Sequence, residues 1–159
     1  MKSIDGDLLQ LAKNGYFDII VHGCNCFHTM GAGIARQVKN IFPEAYLVDV
    51  SETMKGDKKK LGTISYVNLK NTFGNPLVIV NGYTQYSIYK NEKRVAVDYG
   101  AIRSVFEIIR EHFLIDNPKL KIGFPRIGAG LAGGDWNRIS KIIDKELKGY
   151  DYTLVNYKK

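Results

Sequence analysis

Apolar residues along this chain form two kinds of pattern, and the two kinds alternate. Apolar or alternating runs of strand length predict β-strands at residues 17–22, 63–69, 77–81, 121–124 and 152–156. Apolar residues spaced three or four positions apart predict helices at residues 31–42, 44–54, 98–114 and 135–148, with Pro43 and Gly149 as breaks. Continuous apolar strands between amphipathic helices are typical of a sheet buried on both faces. We therefore predict an α/β protein with three layers.

The composition is that of an ordinary globular protein. The 159 residues are 45% hydrophobic and 25% charged, which suits one domain over residues 1–159. No apolar stretch reaches the length of a transmembrane helix, and the start of the chain lacks the apolar core of a secretory signal. Cys24 and Cys26 are badly spaced for a disulfide. These features favour a cytoplasmic protein with no membrane partner, and a monomer is the default expectation.

The net charge of +7 favours anionic partners such as nucleotides or nucleic acid. The lysines are dispersed, apart from the run KGDKKK at residues 55–60. A short run of this kind is more typical of a solvated loop than of a nucleic-acid contact.

Two glycine-rich turns follow predicted strands. MGAGIA at residues 30–35 follows the first, and PRIGAGLAGGDW at residues 125–136 follows the strand at 121–124. Both lead into helices at the sheet edge where α/β proteins bind ligands, and open backbone N–H groups at helix N-termini favour phosphate. The pair therefore suits a diphosphate, although glycines can also serve only to make tight turns. GxGxxG and GxxxxGK[ST] do not fit, because Arg36 replaces the third glycine of the former and Gly134 and Asp135 replace the last residues of the latter.

The stretch VHGCNCFHTM, residues 21–30, raises the question of a metal or redox site. In an extended chain His22 and His28 would lie ~20 Å apart, whereas zinc ligands converge to within ~2.3 Å of one point. Structural zinc is therefore disfavoured, and the sequence requires no metal or cofactor. A cysteine nucleophile activated by a histidine stays open, although a buried, inert thiol is the commoner outcome.

Three side chains are candidates for acid–base chemistry or polar recognition. His22 ends an apolar strand beside the first glycine-rich turn, and Asp135 opens the helix after the second, so both are expected to face one crevice. Each also has a structural interpretation, as a core-edge histidine and as a helix N-cap. Asp7, in the segment GDLL, could accept a hydrogen bond from an exocyclic amine or simply form a turn.

Taken together, these segments resemble the macro domain, an ADP-ribose-binding α/β module. The resemblance covers nearly the whole chain and rests on four blocks in order: GDLL at residues 6–9, VHGCN at 21–25, GAGIA at 31–35 with FP at 42–43, and PRIGAGLAGGDW at 125–136. It implies a three-layer α/β/α fold with a mixed central sheet.

The resemblance also implies a role for individual residues. Asp7 would bind the adenine amino group with Leu8 nearby, Asn25 would bind the distal ribose, and Tyr157 would flank the adenine. The diphosphate would lie between two sets of residues, which are Met30, Gly31, Ala32, Gly33 and Ile34 on one side and Ile127, Gly128, Ala129, Gly130 and Leu131 on the other.

Within the family, a short stand-alone branch with CN and GAGIA is most similar. It contains yeast-type ADP-ribose-1''-phosphate phosphatases and deacylating mono-ADP-ribosyl hydrolases, and similar proteins occur in bacteria and in phages, where the host cytoplasm would be the location. The phosphatase type carries a histidine that matches His22. The hydrolase type uses a lysine and an aspartate, but Gln85 and Ala132 align with them here. This departure favours the phosphatase, whereas a slipped alignment would let Lys90 and Asp135 serve a hydrolase.

The leading prediction is hydrolysis of ADP-ribose-1''-phosphate to ADP-ribose and phosphate. Asp135 would act on the attacking water or the leaving oxygen, His22 would supply the complementary proton transfer, and backbone N–H groups would stabilise the phosphoryl charge. Two alternatives remain: a mono-ADP-ribosyl hydrolase acting on an ADP-ribosylated protein or nucleic acid, and a reader that binds ADP-ribose without catalysis.

Overall fold

A six-stranded mixed sheet forms the centre of the molecule, as expected. The structure, a computed structural model, describes residues 1–88 and 95–158. The strands are β1 (Lys2–Gly6), β2 (Ile19–Cys24), β3 (Ile64–Lys70), β4 (Pro76–Tyr83), β5 (Lys121–Phe124) and β6 (Asp151–Tyr157). They are arranged in the order β1-β6-β5-β2-β4-β3, and only β3 pairs in the antiparallel sense, with β4. The other five strands therefore have their carboxyl ends at one edge of the sheet.

Within the described residues, five α-helices cover the two faces of this sheet. They are α1 (Leu8–Lys13), α2 (Gly33–Ile41), α3 (Pro43–Glu52), α4 (Tyr99–Ile109) and α5 (Trp136–Glu146). Pro43 is at the first position of α3, where its missing N–H has no intrahelical partner to lose. None of the described helices has the length and apolar character needed to cross a membrane.

Two apolar clusters join the helices to the sheet and complete the three-layer arrangement. Ile19 and Val21 of β2 pack with α4 and α5 on one face. Ile20 points the other way and packs with α1, α2 and α3. This alternation along a single strand explains why β2 is a continuous apolar run, because both of its faces are buried.

The sequence patterns placed most elements within a few residues of their observed ends, with two differences. The predicted helix at 98–114 is α-helical only to Ile109 and continues as a π-helical turn, Arg110–Leu114. The amino-terminal strand β1 and the helix α1 were not predicted. β1 lies at the edge of the sheet and is mostly exposed, so its sequence KSIDG carries no apolar run.

Candidate functional site

A cleft of about 710 Å³ lies at the carboxyl edge of the sheet, between the two glycine-rich turns. Residues 29–35, after β2, line one side, and most of residues 125–132, after β5, line the other. The end of β2 forms part of the floor through Gly23, Cys24 and Asn25. The two turns predicted to share a crevice therefore do so.

A second cleft of about 450 Å³ continues from the first. The two share Gly33, Ile34, Pro125 and Arg126 in their linings. The far end of the second cleft is lined by Asp7 and Leu8, at the junction of β1 and α1, and by Tyr157, the last residue of β6. Residues that are distant in sequence thus border one elongated depression with the glycine-rich turns at its middle.

The first turn leaves the N-terminus of α2 open towards this depression. Ala32 is the N-cap residue and makes no side-chain capping hydrogen bond. The N–H groups of the first helical turn have no intrahelical acceptor, so they are free to bind an anion. Gly33 has φ +56°, a conformation that favours glycine, and Met30 adopts the left-handed region too, at φ +37°.

The second turn is held by its own backbone hydrogen bonds. Ile127 N–H donates to Pro125 O at 2.7 Å, and Ala129 N–H donates to Arg126 O at 3.2 Å. These two amides are therefore engaged within the turn, and Ala129 is absent from the lining of both clefts. The predicted residues Ile127, Gly128, Gly130 and Leu131 do line the first cleft.

Asn25 lies in the first cleft with its side chain fixed. Its Oδ1 accepts a hydrogen bond from Phe27 N–H at 2.8 Å, and its Nδ2 donates to Thr29 Oγ1 at 2.7 Å. Thr29 lines the same cleft. An amide oriented in this way presents a defined edge to a ligand that lies over the end of β2.

Asp7 and Tyr157 form the opposite end of the depression. Asp7 is the N-cap of α1, because its Oδ1 accepts hydrogen bonds from Leu9 N–H at 3.1 Å and Gln10 N–H at 3.3 Å. Its Oδ2 has no hydrogen-bond partner in residues 1–88 and 95–158 and can accept one from a ligand. Tyr157 is 58% exposed, so its ring is available to a planar group.

His22 does not face the cleft, contrary to expectation. Its side chain is 2% exposed and points to the face covered by α3, where Nε2 lies 2.6 Å from Asn81 Oδ1. Because Asn81 Nδ2 donates to Ala45 O and Ser65 Oγ, the Asn81 oxygen accepts from His22 and the imidazole is the Nε2–H tautomer. Desolvation lowers the pKa of His22 to about 4, so the ring is neutral at pH 7.

Asp135 is also outside the lining of both clefts. It is the N-cap of α5, and its Oδ1 accepts a hydrogen bond from Asn137 N–H at 2.9 Å. Its own N–H donates to Tyr99 Oη at 3.0 Å. The side chain is exposed beside the second turn, and in this structure Asp135 acts as a helix cap.

The remaining positions singled out in the sequence have distinct environments. Gln85 and Ala132 line the first cleft, and Lys90 falls outside the described residues. Cys24 also lines the cleft, but burial raises the pKa of its thiol well above the ordinary value, which disfavours a thiolate nucleophile. His28 Nε2 lies 2.9 Å from Thr53 Oγ1, on the far side of the turn.

A buried charged pair beside the cleft was not predicted. Lys60, the last residue of the run interpreted as a solvated loop, is buried and its Nζ donates to Asp49 Oδ1 at 3.1 Å. Asp49 lines the first cleft. A lysine run does not indicate which of its members is buried, and Asp49 lies between Val48 and Val50 of α3 without a motif around it.

Comparison with known proteins agrees with this architecture. The sequence matches the macro domain family over residues 21–143. It is 34% identical over 157 residues to an uncharacterized 17.5 kDa protein of the tk-vs intergenic region of Enterobacteria phage T4, covering 99% of this chain and 96% of that protein. It is 26% identical to an ADP-ribose 1''-phosphate phosphatase from Debaryomyces hansenii, and the match covers 91% of this chain and 93% of that protein.

A solved structure extends the agreement to three dimensions. A protein of unknown function from Bacteroides thetaiotaomicron superposes with a TM-score of 0.77 at 28% identity, covering 98% of this chain and 96% of that one. The family match spans the first glycine-rich turn, the second turn and the strands that position both. This chain belongs to the macro domain family.

Proposed function

We propose that this protein binds ADP-ribose along the elongated depression formed by the two clefts. The observation that carries the proposal is the position of the two glycine-rich turns, which face each other midway between Asp7 and Asn25. ADP-ribose has the same order of parts: a base, a diphosphate and a distal ribose. Membership of an ADP-ribose-binding family supports the assignment.

Each part of the ligand then has a matching surface. The free Oδ2 of Asp7 accepts a hydrogen bond from the adenine amino group, and the exposed Tyr157 ring packs on the base. The uncapped N-terminus of α2 and the second turn hold the diphosphate. Arg126, at the junction of the clefts, adds a positive charge there. The distal ribose lies against Asn25.

We further propose that the protein hydrolyses ADP-ribose-1''-phosphate to ADP-ribose and phosphate. Support comes from the 26% identical relative that bears this name. Water attacks phosphorus, the bond to the 1''-oxygen breaks, and that oxygen takes a proton. Asp135, which caps α5 beside the second turn and outside the lining of both clefts, is the acid–base candidate of this proposal. Neutral His22 contacts Cys24 from beneath the cleft, so its proposed role is positioning.

Parallel incubation with three substrates tests the activity. We expect phosphate release from ADP-ribose-1''-phosphate and no release of ADP-ribose from ADP-ribosylated protein or DNA. Release from either macromolecule would replace the phosphatase by the hydrolase alternative. Binding of ADP-ribose without turnover of any of the three would make the protein a reader.

Substitution of Asp135 separates catalysis from capping. Asp135→Asn keeps an efficient N-cap but removes the ionisable group, whereas Asp135→Ala removes both. We expect Asp135→Asn to lower kcat on the phosphate ester by about 10²- to 10⁴-fold with unchanged thermal stability. Asp135→Ala should lower kcat similarly and destabilise the fold by about 1 kcal/mol. Full activity of Asp135→Asn would leave Asp135 as a cap alone.

A further inference from the structure

Asp49 is a buried carboxylate held by donors on one of its two oxygens. Its side chain is 1% exposed, and that of its partner Lys60 is 3% exposed. Asp49 Oδ1 accepts hydrogen bonds from Tyr83 Oη at 2.6 Å and Lys60 Nζ at 3.1 Å. A buried ion pair is weak evidence of a stabilising role, because desolvation offsets much of the Coulomb attraction. A pair that borders a cleft therefore points to a functional role.

The second oxygen of Asp49 has a different environment. Within residues 1–88 and 95–158, Oδ2 makes no hydrogen bond. It is also not among the fully enclosed polar atoms that lack a partner, so a small opening to solvent remains although the side chain as a whole is only 1% exposed. Asp49 lines the first cleft and not the second, which places this opening at the end that holds Asn25.

An unpaired hydroxyl at the same end is an independent sign of a missing partner. Across the described ranges, Thr84 Oγ1 is the one fully buried side-chain polar atom without a hydrogen bond. Thr84 lines the first cleft, and its N–H donates to Cys24 O at 3.2 Å. Buried polar atoms are almost always paired, so this end of the cleft has hydrogen-bonding capacity that the described residues leave unused.

The rigid fixing of Asp49 determines what it can recognise. An ionised carboxylate only accepts hydrogen bonds, and Oδ1 is already occupied by Tyr83 and Lys60. Oδ2 therefore selects a group that donates, such as a hydroxyl, and disfavours a second anion. Resting on the proposed function, we propose that Asp49 accepts a hydrogen bond from a hydroxyl group of the distal ribose and thereby gives the cleft its preference for ADP-ribose over ADP. The 1''-phosphate is then directed away from Asp49.

Calorimetric titration of ADP-ribose and of ADP into the same variants tests this assignment. We expect Asp49→Asn to weaken ADP-ribose binding on the order of tenfold or more and to change ADP binding less than about twofold. The exposed Glu52→Gln on the same helix removes one negative charge elsewhere and should leave both affinities unchanged. Asp49→Asn leaves the buried positive charge of Lys60 without its partner. The double variant Asp49→Asn/Lys60→Met removes that charge and should show the same loss of preference for ADP-ribose over ADP.

One result would overturn the assignment while the proposed function stands. It is a wild-type preference for ADP-ribose over ADP that persists in the folded Asp49 variants, whether both affinities fall equally or neither falls. If wild-type protein binds no ADP-ribose, the proposed function itself fails, and the two failures are thereby distinguished.

Discussion

At the scale of single residues, the side chains beneath the cleft form one buried hydrogen-bonded chain. It runs from His22 through Asn81 and Ser65 to Tyr83 and Asp49. Burial and the Asp49 carboxylate raise the pKa of Tyr83, so its hydroxyl stays a donor. Each member fixes the next, and the floor under Cys24 and Asn25 is therefore rigid before any ligand arrives.

The buried His22 predicts a loss of stability in acid. Its pKa is about 4 in the folded state and 6.5 when unfolded, so the unfolded state binds the proton first as the pH falls below 6.5. His22 should therefore contribute a loss of about 2–3 kcal/mol in the free energy of unfolding between pH 7 and pH 4.5. His22→Gln retains a donor towards Asn81 without titrating and should lack this contribution.

Urea denaturation at the two pH values measures the difference. The exposed His112→Gln serves as the control and should show the same pH dependence as wild type. If His22→Gln shows the same pH dependence as wild type, burial of His22 does not contribute to the loss of stability in acid.

Sequence motifs predicted the position of some residues of the site and not of others. Asn25, Asp7 and the glycine-rich turns were predicted from motifs and do line the clefts, because each follows a strand at the carboxyl edge of the sheet. The direction of the His22 side chain was not predicted correctly. It depends on Asn81 of β4, which pairs with the imidazole and is itself held by the carbonyl of Ala45 in α3. Lys60 was missed for the same reason, since its burial depends on Asp49, 11 positions earlier in the chain.

At the scale of elements, the second glycine-rich turn depends on one glycine that packs against the core. Gly128 has φ +76°, and a Cβ there would lie 2.6 Å from Val97 Cγ2 and 3.2 Å from Ile139 Cδ1. Its carbonyl also accepts a hydrogen bond from Gly134 N–H at 2.7 Å, which closes the turn. The position therefore needs glycine for both its conformation and its close packing.

Gly128→Ala should consequently destabilise the protein by about 1–3 kcal/mol, from left-handed backbone strain and overpacking. Gly130→Ala, two residues away, meets no atom within 4 Å and should change stability by less than about 0.5 kcal/mol. Thermal unfolding of the two variants gives the comparison. Equal stabilities would show that the turn adapts to a side chain at position 128.

The helices and strands themselves were largely predictable from apolar periodicity, and the exceptions have physical reasons. The strand β1 is exposed at the sheet edge and is recognised only by its pairing with β6. The helix α1 has 6 residues, too few for a periodic pattern, and is marked by its cap Asp7. Local sequence therefore predicts the buried elements better than the edge elements that complete the second cleft.

At the scale of the whole molecule, the five parallel strands bring the ends of β1, β2, β5 and β6 to one edge. Asp7 and Tyr157 lie at one end of the resulting depression, and Asn25 at the other. No local motif specifies this juxtaposition, because it arises from the order of strands in the sheet. The proposed function requires that one ADP-ribose molecule spans both clefts.

Amide chemical-shift changes during titration with ADP-ribose test that claim most directly. We expect the signals of residues 7–8, 25, 31–34, 128–131 and 157 to change together, with a single binding curve in the micromolar range. Changes confined to one of the two clefts, or to surfaces away from both, would contradict it.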